Sequence, residues 1–118
     1  MADIGFVQQS EIFAREADRL GHAPPVIDGA DVLRDAASVL SGLCAALEIP
    51  WTSDMLSWPA GRRETDGIWA PAWYDAVEKS TGFGPPPRET RPDLPDHLRR
   101  IADLARPHYD ALARWRIR

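Results

Sequence analysis

Apolar residues recur at helical spacing in three long stretches of this chain. Phe6, Phe13 and Leu20 repeat every seven residues, with Ile12, Ala14 and Ala17 beside that stripe. The spacing predicts a helix over 3–20, capped by Asp3 and stopped by Gly21. Val39, Leu40, Leu43 and Leu47 mark a second helix, with Asp35 as its cap and Pro50 as its end. Leu94, Leu98, Ile101, Ala105 and Leu112 share a third stripe beside Tyr109. Pro107 is expected to kink or split that helix, and the closing ARWRIR places cations at its C-terminus.

The intervals between these helices read differently. Pro24 and Pro25 forbid a helix start, and the β-branched pair Val26-Ile27 predicts a short strand over Pro25 to Asp28, with an Asp-Gly break after it. Residues 31–33 read as a turn leading into the second helix. Thr52 or Ser53 can cap a brief turn through Met55 and Leu56, and Pro71 opens a helix over 72–79. Gly82, Gly84 and the prolines at 85–87 stop it. The pattern divides the chain into a domain portion over 1–84, a stiff polar linker over 85–93, and a C-terminal helical segment over 94–118 packing on the same domain. One strand among so many helices cannot satisfy its own backbone, so it predicts a sheet completed elsewhere, by a partner or by further polypeptide.

Composition narrows the classes. The chain has 118 residues, enough for one domain or part of one, and an ordinary apolar share of 44%. Eighteen acids against fourteen bases give a net charge of −4, which argues against nucleic acid as a partner by bulk charge. The single cysteine, Cys44, excludes an internal disulfide and lies on a helical apolar pattern that suits a buried thiol. No apolar run is long enough to cross a membrane, and the N-terminus lacks a signal-peptide pattern, so a cytoplasmic protein is expected. His22, His97 and His108 are scattered without metal-ligand spacing. Asp28, Asp31 and Asp35 suit turns and caps.

Four of the five tryptophans, Trp51, Trp58, Trp69 and Trp73, fall in one window that also holds Pro59, Gly61, Arg62, Arg63, Ser80 and Thr81. Trp58, Trp69 and Trp73 are expected to be mainly buried and to anchor the loop between them. Arg62 and Arg63 could grip an anion, with Gly61 allowing close backbone approach and Ser80 and Thr81 adding hydroxyls. Alternatively the arginines belong to a solvated turn and pair with Glu64 and Asp66.

The segments Leu33-Arg34-Asp35, Leu43 to Leu47, Met55 to Gly61, Trp69-Ala70-Pro71 and Ser80 to Phe83 resemble the C-terminal half of bacterial sulfotransferase-like P-loop proteins, some of them labelled branched-chain aminotransferase-like. The resemblance runs over roughly 3–109. It implies an α/β fragment, helix-dominated, forming the C-terminal part of a three-layer P-loop-type fold with one or two short parallel strands. It also implies sulfuryl transfer from 3′-phosphoadenylyl sulfate, and binding of adenosine 3′,5′-bisphosphate as its product. Arg62-Arg63 followed by Asp66 to Trp69 is similar to the family's C-terminal phosphate-gripping loop. On that basis Gly61, Arg62, Arg63, Trp69, Ser80 and Thr81 are the expected nucleotide contacts, and no catalytic residue is assigned. The resemblance implies that the first strand and its phosphate loop lie upstream of Met1. The chain is then a truncated domain, inactive alone, whose expected partner is a missing N-terminal half or a second copy. The alternative is an interaction or oligomerisation module without catalysis.

Overall fold

The computed structural model describes residues 4–86, 88 and 92–118. Six helices dominate: α1 (Phe6–Leu20), α2 (Gly29–Arg34), α3 (Ala36–Ala46), α4 (Ala70–Trp73), α5 (Asp75–Lys79) and α6 (Asp96–Ala113), with a 3₁₀ turn at Ser53–Leu56. The expected cap at Asp3 and much of the 85–93 linker lie outside the described residues.

The long helices begin and end for local reasons. Gly5 and Gly21 flank α1 at φ 71° and 75°, left-handed values that cost glycine little, and the Gly21 N–H closes the helix on the Ala17 carbonyl. Asp35 caps α3 through the Ser38 N–H, and Thr52 caps the 3₁₀ turn through the Asp54 N–H. Helix α3 ends at Ala46, before Pro50 is reached, as the chain turns through Glu48 at φ 56°.

Three expectations are corrected. Residues 31–33 are not a turn but part of α2, which Asp28 caps by accepting from the Ala30 N–H. The helix expected over 72–79 is two short helices that meet at Tyr74, whose ψ of 12° departs from helical geometry. Helix α6 is not split: it runs through Pro107, whose ring is exposed and whose missing N–H removes one bond from a ladder of 18 residues. It ends at Ala113 with Arg114 as its C-cap, which puts a cation of the closing segment at the helix C-terminus.

The strand over Pro25 to Asp28 contracts to a single parallel bridge between Val26 and Arg116, with the Ile117 N–H donating to the Val26 carbonyl at 2.9 Å. A second, antiparallel bridge joins Ser57 to Gly82. The C-terminal segment thus supplies the neighbour that a lone strand needs.

Packing is sparse. Helix α1 lies against α6, and α2 against α3. Among the described residues only Val39, Cys44, Ala70, Ala105 and Leu112 are buried apolar side chains. The accessible surface is 9317 Å². A folded monomer of 13.1 kDa exposes about 6,400 Å². The radius of gyration is 17.0 Å, where a compact domain of this length has about 13.5 Å. Large apolar side chains stand in solvent on several elements, including Ile12, Ile49, Leu104 and Trp115.

Candidate functional site: the arginine loop

Residues 57–83 form a closed loop whose neck is built on Trp58. Its backbone N–H donates to the Thr81 carbonyl at 3.0 Å, beside the Ser57–Gly82 bridge. Its indole Nε1 donates to Ser80 Oγ at 2.9 Å, and its ring meets Phe83 edge-on at 5.4 Å. The expected anchoring role therefore falls to Trp58, which is half-buried. Trp69 and Trp73 are not buried: they are 68% and 75% exposed. Trp69 precedes α4 and Trp73 ends it, and among the described helices α4 packs on α5 alone, which leaves both rings in solvent.

The tip is cross-tied. Gly61, at φ 117°, donates its N–H to the Glu78 carbonyl at 2.7 Å. That left-handed conformation is the reason for a glycine here. Arg62 Nε donates to Glu78 Oε1 at 3.0 Å. Arg63 turns inward: its N–H donates to Asp66 Oδ2 at 2.9 Å and its Nη2 to the Pro59 carbonyl at 2.9 Å. The arginines thus divide their roles. Arg63 braces the turn, and Asp66 serves it as a backbone cap. Arg62 stays largely exposed over a small cavity of about 180 Å³ lined by Arg62, Asp66, Gly67, Ile68, Ala70 and Pro71.

The loop brings Gly61, Arg62 and Ser80 together around Glu78 and Trp58. Thr81 sits exposed at the neck, and Trp69 faces solvent. The donor set fits a phosphate or sulfate only in part. The Ser80 hydroxyl gives its one proton to the Val77 carbonyl at 2.7 Å while accepting from Trp58, so it has no donor left for an anion. The Glu78 carboxylate neutralises Arg62 and opposes an incoming negative charge. What remains is the free edge of the Arg62 guanidinium, with the Thr81 hydroxyl at the neck.

A second polar cluster escaped the sequence reading. Tyr109 on α6 donates its hydroxyl to Asp28, and Arg116 Nη1 lies 3.7 Å from the same carboxylate. Arg116 Nε lies 3.3 Å from Asp31 Oδ2, and Arg34 Nη1 donates to Asp31 Oδ1 at 2.9 Å. The Tyr109 hydroxyl, followed by the Ala30 N–H and the arginine charges, holds the Asp28 carboxyl below its usual range. The same bond pushes the Tyr109 phenol up. Asp28 is thereby kept ionised and engaged, which suits a clasp between α2, α6 and the C-terminal segment better than proton transfer. The partners are some eighty residues apart, and no local signal in the chain announces them.

No group of three metal-ligating side chains occurs among the described residues, and no described helix is long and apolar enough to cross a membrane.

Residues 1–115 match the sulfotransferase domain family, and the chain belongs to that family. Two relatives from Arabidopsis thaliana are similar in sequence. Branched-chain-amino-acid aminotransferase-like protein 1 is 47% identical over 73 residues, covering 62% of this chain and 13% of the relative. Branched-chain-amino-acid aminotransferase-like protein 2 is 46% identical over 68 residues, covering 58% of this chain and 12% of the relative. These relatives are plant proteins, where the sequence resemblance pointed to bacterial ones. The chain spans only a small part of their length. No solved structure matches it.

Proposed function

We propose that this chain forms part of a sulfotransferase-like domain that moves a sulfuryl group from 3′-phosphoadenylyl sulfate, and that the transfer needs polypeptide beyond these residues. The observation that carries the second half of this reading is the surface. About 2,900 Å² is exposed beyond what a folded monomer of this mass shows. That excess suits the flank of a larger three-layer α/β P-loop-type fold, in which Val26 lies within a parallel sheet. The family supports the reaction class. A cytoplasmic setting is part of this proposal.

Arg62 is the residue that would hold a phosphate or sulfate oxygen of the nucleotide, with Thr81 beside the neck and Gly61 giving room for close approach. Arg63 would keep the loop in shape, and Ser80 would keep Trp58 in place. When bound, the nucleotide supplies the sulfuryl group. This chain's part is to grip the donor and to hold the loop rigid against the domain.

Titration calorimetry with adenosine 3′,5′-bisphosphate tests the reading. The isolated chain is expected to show no binding at millimolar nucleotide. The completed domain is expected to bind, and Arg62→Ala to weaken it by roughly ten- to a hundred-fold, the worth of a hydrogen bond to a charged group. Equal affinity with Arg62 and Arg63 both replaced by alanine would make the loop structural. Sulfuryl transfer by the isolated chain would overturn the requirement for further polypeptide.

A second reading, an interaction module without catalysis, is favoured by the bare rings of Trp69 and Trp73. It predicts partner binding with no nucleotide affinity in any assembly.

A further inference from the structure

Helices α1 and α6 run side by side in the same direction. Ser10 Oγ lies 3.0 Å from His108 Nδ1, and further along Phe13 lies 6.2 Å from Trp115. Counting back from the Ser10–His108 contact sets Phe6, the first residue of α1, level with Leu104, so the opening turns of α6 run past the start of α1. A groove of about 420 Å³ opens there, with Ile4 and Phe6 on one side and Leu98, Ile101, Ala102 and Ala105 on the other. The α6 residues recur at intervals of three and four and so share one helix face. The groove has the size of a small-molecule pocket, for which about 300–1,000 Å³ is usual.

One end of the groove is charged. Arg106 and Tyr109 close it, with the Arg106 guanidinium 5.9 Å from the centre of the Tyr109 ring. The Tyr109 hydroxyl is engaged by Asp28, which pins the ring from behind. A cation held against a ring is fixed in place while its N–H donors stay available. Among the described residues no carboxylate pairs with Arg106, although Asp103 and Asp110 stand one turn away on either side of it along α6. The other end, at Leu98, is apolar, and the helical rise puts it about 12 Å from Arg106. The groove is therefore elongated, greasy along its length and cationic at one end.

We propose that this groove binds one amphiphilic carboxylate, an unbranched alkyl chain of medium length with its head on Arg106. The chain lies along Leu98, Ile101 and Ala105 and leaves water there, while the planar guanidinium takes the carboxylate oxygens. A bilayer offers the same head chemistry, but its tails stay in the membrane, and a concave site between two helices takes a single free chain. The groove owes nothing to the arginine loop, so the inference does not depend on the sulfotransferase reading.

Calorimetric titration of the chain with decanoate, below its micellar concentration, tests this. Saturable binding of one molecule per chain is expected, with nuclear magnetic resonance shifts in the Leu98 and Ile101 methyls. Decyltrimethylammonium, which has the same tail and the opposite charge, should bind at least tenfold more weakly. Arg106→Gln should weaken decanoate about tenfold, the worth of a charge-assisted contact, and Arg106→Lys should restore most of it. Ala102→Trp fills the groove from an exposed position and should abolish binding without moving the thermal melt, while Leu104→Trp, on the exposed far side of α6, should leave binding intact. Equal affinity for the two head groups would overturn the proposal, as would uptake at many sites or binding indifferent to Ala102→Trp. So would retention on phosphatidylserine vesicles without binding of free decanoate. Loss of decanoate binding in the completed domain, with the Ile101 methyl protected, would show that polypeptide fills the groove and would overturn it too. Nucleotide affinity is read separately, so either idea can fail without the other.

Discussion

Ile117 presses on Gly42: a Cβ built on the glycine would lie 2.7 Å from the Ile117 Cγ2 methyl. This contact seats the C-terminal segment on α3 while Arg116 reaches Asp28 and Asp31 and Trp115 lies 6.2 Å from Phe13. A Gly→Ala change inside a helix ordinarily gains about 1 kcal/mol of propensity. Here the new methyl meets a β-branched side chain with little freedom, and overpacking costs about 1–3 kcal/mol. Gly42→Ala should therefore lower stability by about 1 kcal/mol in urea unfolding. In an Ile117→Ala background the same change should become stabilising.

The Asp28–Tyr109 pair sets two limits on pH stability. Asp28 has a lowered folded pKa, so its contribution is present above the ordinary carboxylate range and is lost as pH falls through the folded value. Tyr109 has a raised folded pKa, so its contribution is present below the ordinary phenol range and is lost as pH rises through the folded value. Tyr109→Phe should cost about 1 kcal/mol at neutral pH. It should also flatten the acid limb and remove the alkaline one, which thermal melts between about pH 3 and pH 11 would show.

The tryptophans should separate by site. Trp69→Ala should change stability by less than about 1 kcal/mol, because the ring is already in solvent. Trp58→Ala should cost about 2 kcal/mol, since it removes a half-buried ring, its edge contact with Phe83 and the Ser80 bond. Equal losses at both positions in chemical unfolding would contradict this arrangement of the loop.

Glu78 holds Arg62 at a surface ion pair, which is worth at most about 1 kcal/mol. Glu78→Gln should leave stability nearly unchanged. On the proposed nucleotide-binding reading it should tighten adenosine 3′,5′-bisphosphate binding several-fold, since the guanidinium loses its competing carboxylate. Weaker binding in the Gln variant would show that Glu78 itself contacts the ligand.

The chain's local chemistry was legible in its sequence. Gly21 stops α1 because a glycine tolerates left-handed backbone, Asp35 starts α3 because its carboxylate takes an orphan amide, and Thr52 does the same for the 3₁₀ turn. These devices act over a few residues, so a linear pattern reveals them. The family was legible as well, through motifs spread over most of the chain. Tertiary structure alone decided the rest. Arg116 joins Asp28 and Asp31 across more than eighty residues, and Glu78 rather than Glu64 takes Arg62, because chain reversal chooses among equally suitable charges. The same holds for burial. Trp58, Trp69 and Trp73 lie in one loop, yet among the described residues Trp58 alone of the three is half-buried and meets another ring, because burial depends on what packs against a ring and not on the ring itself.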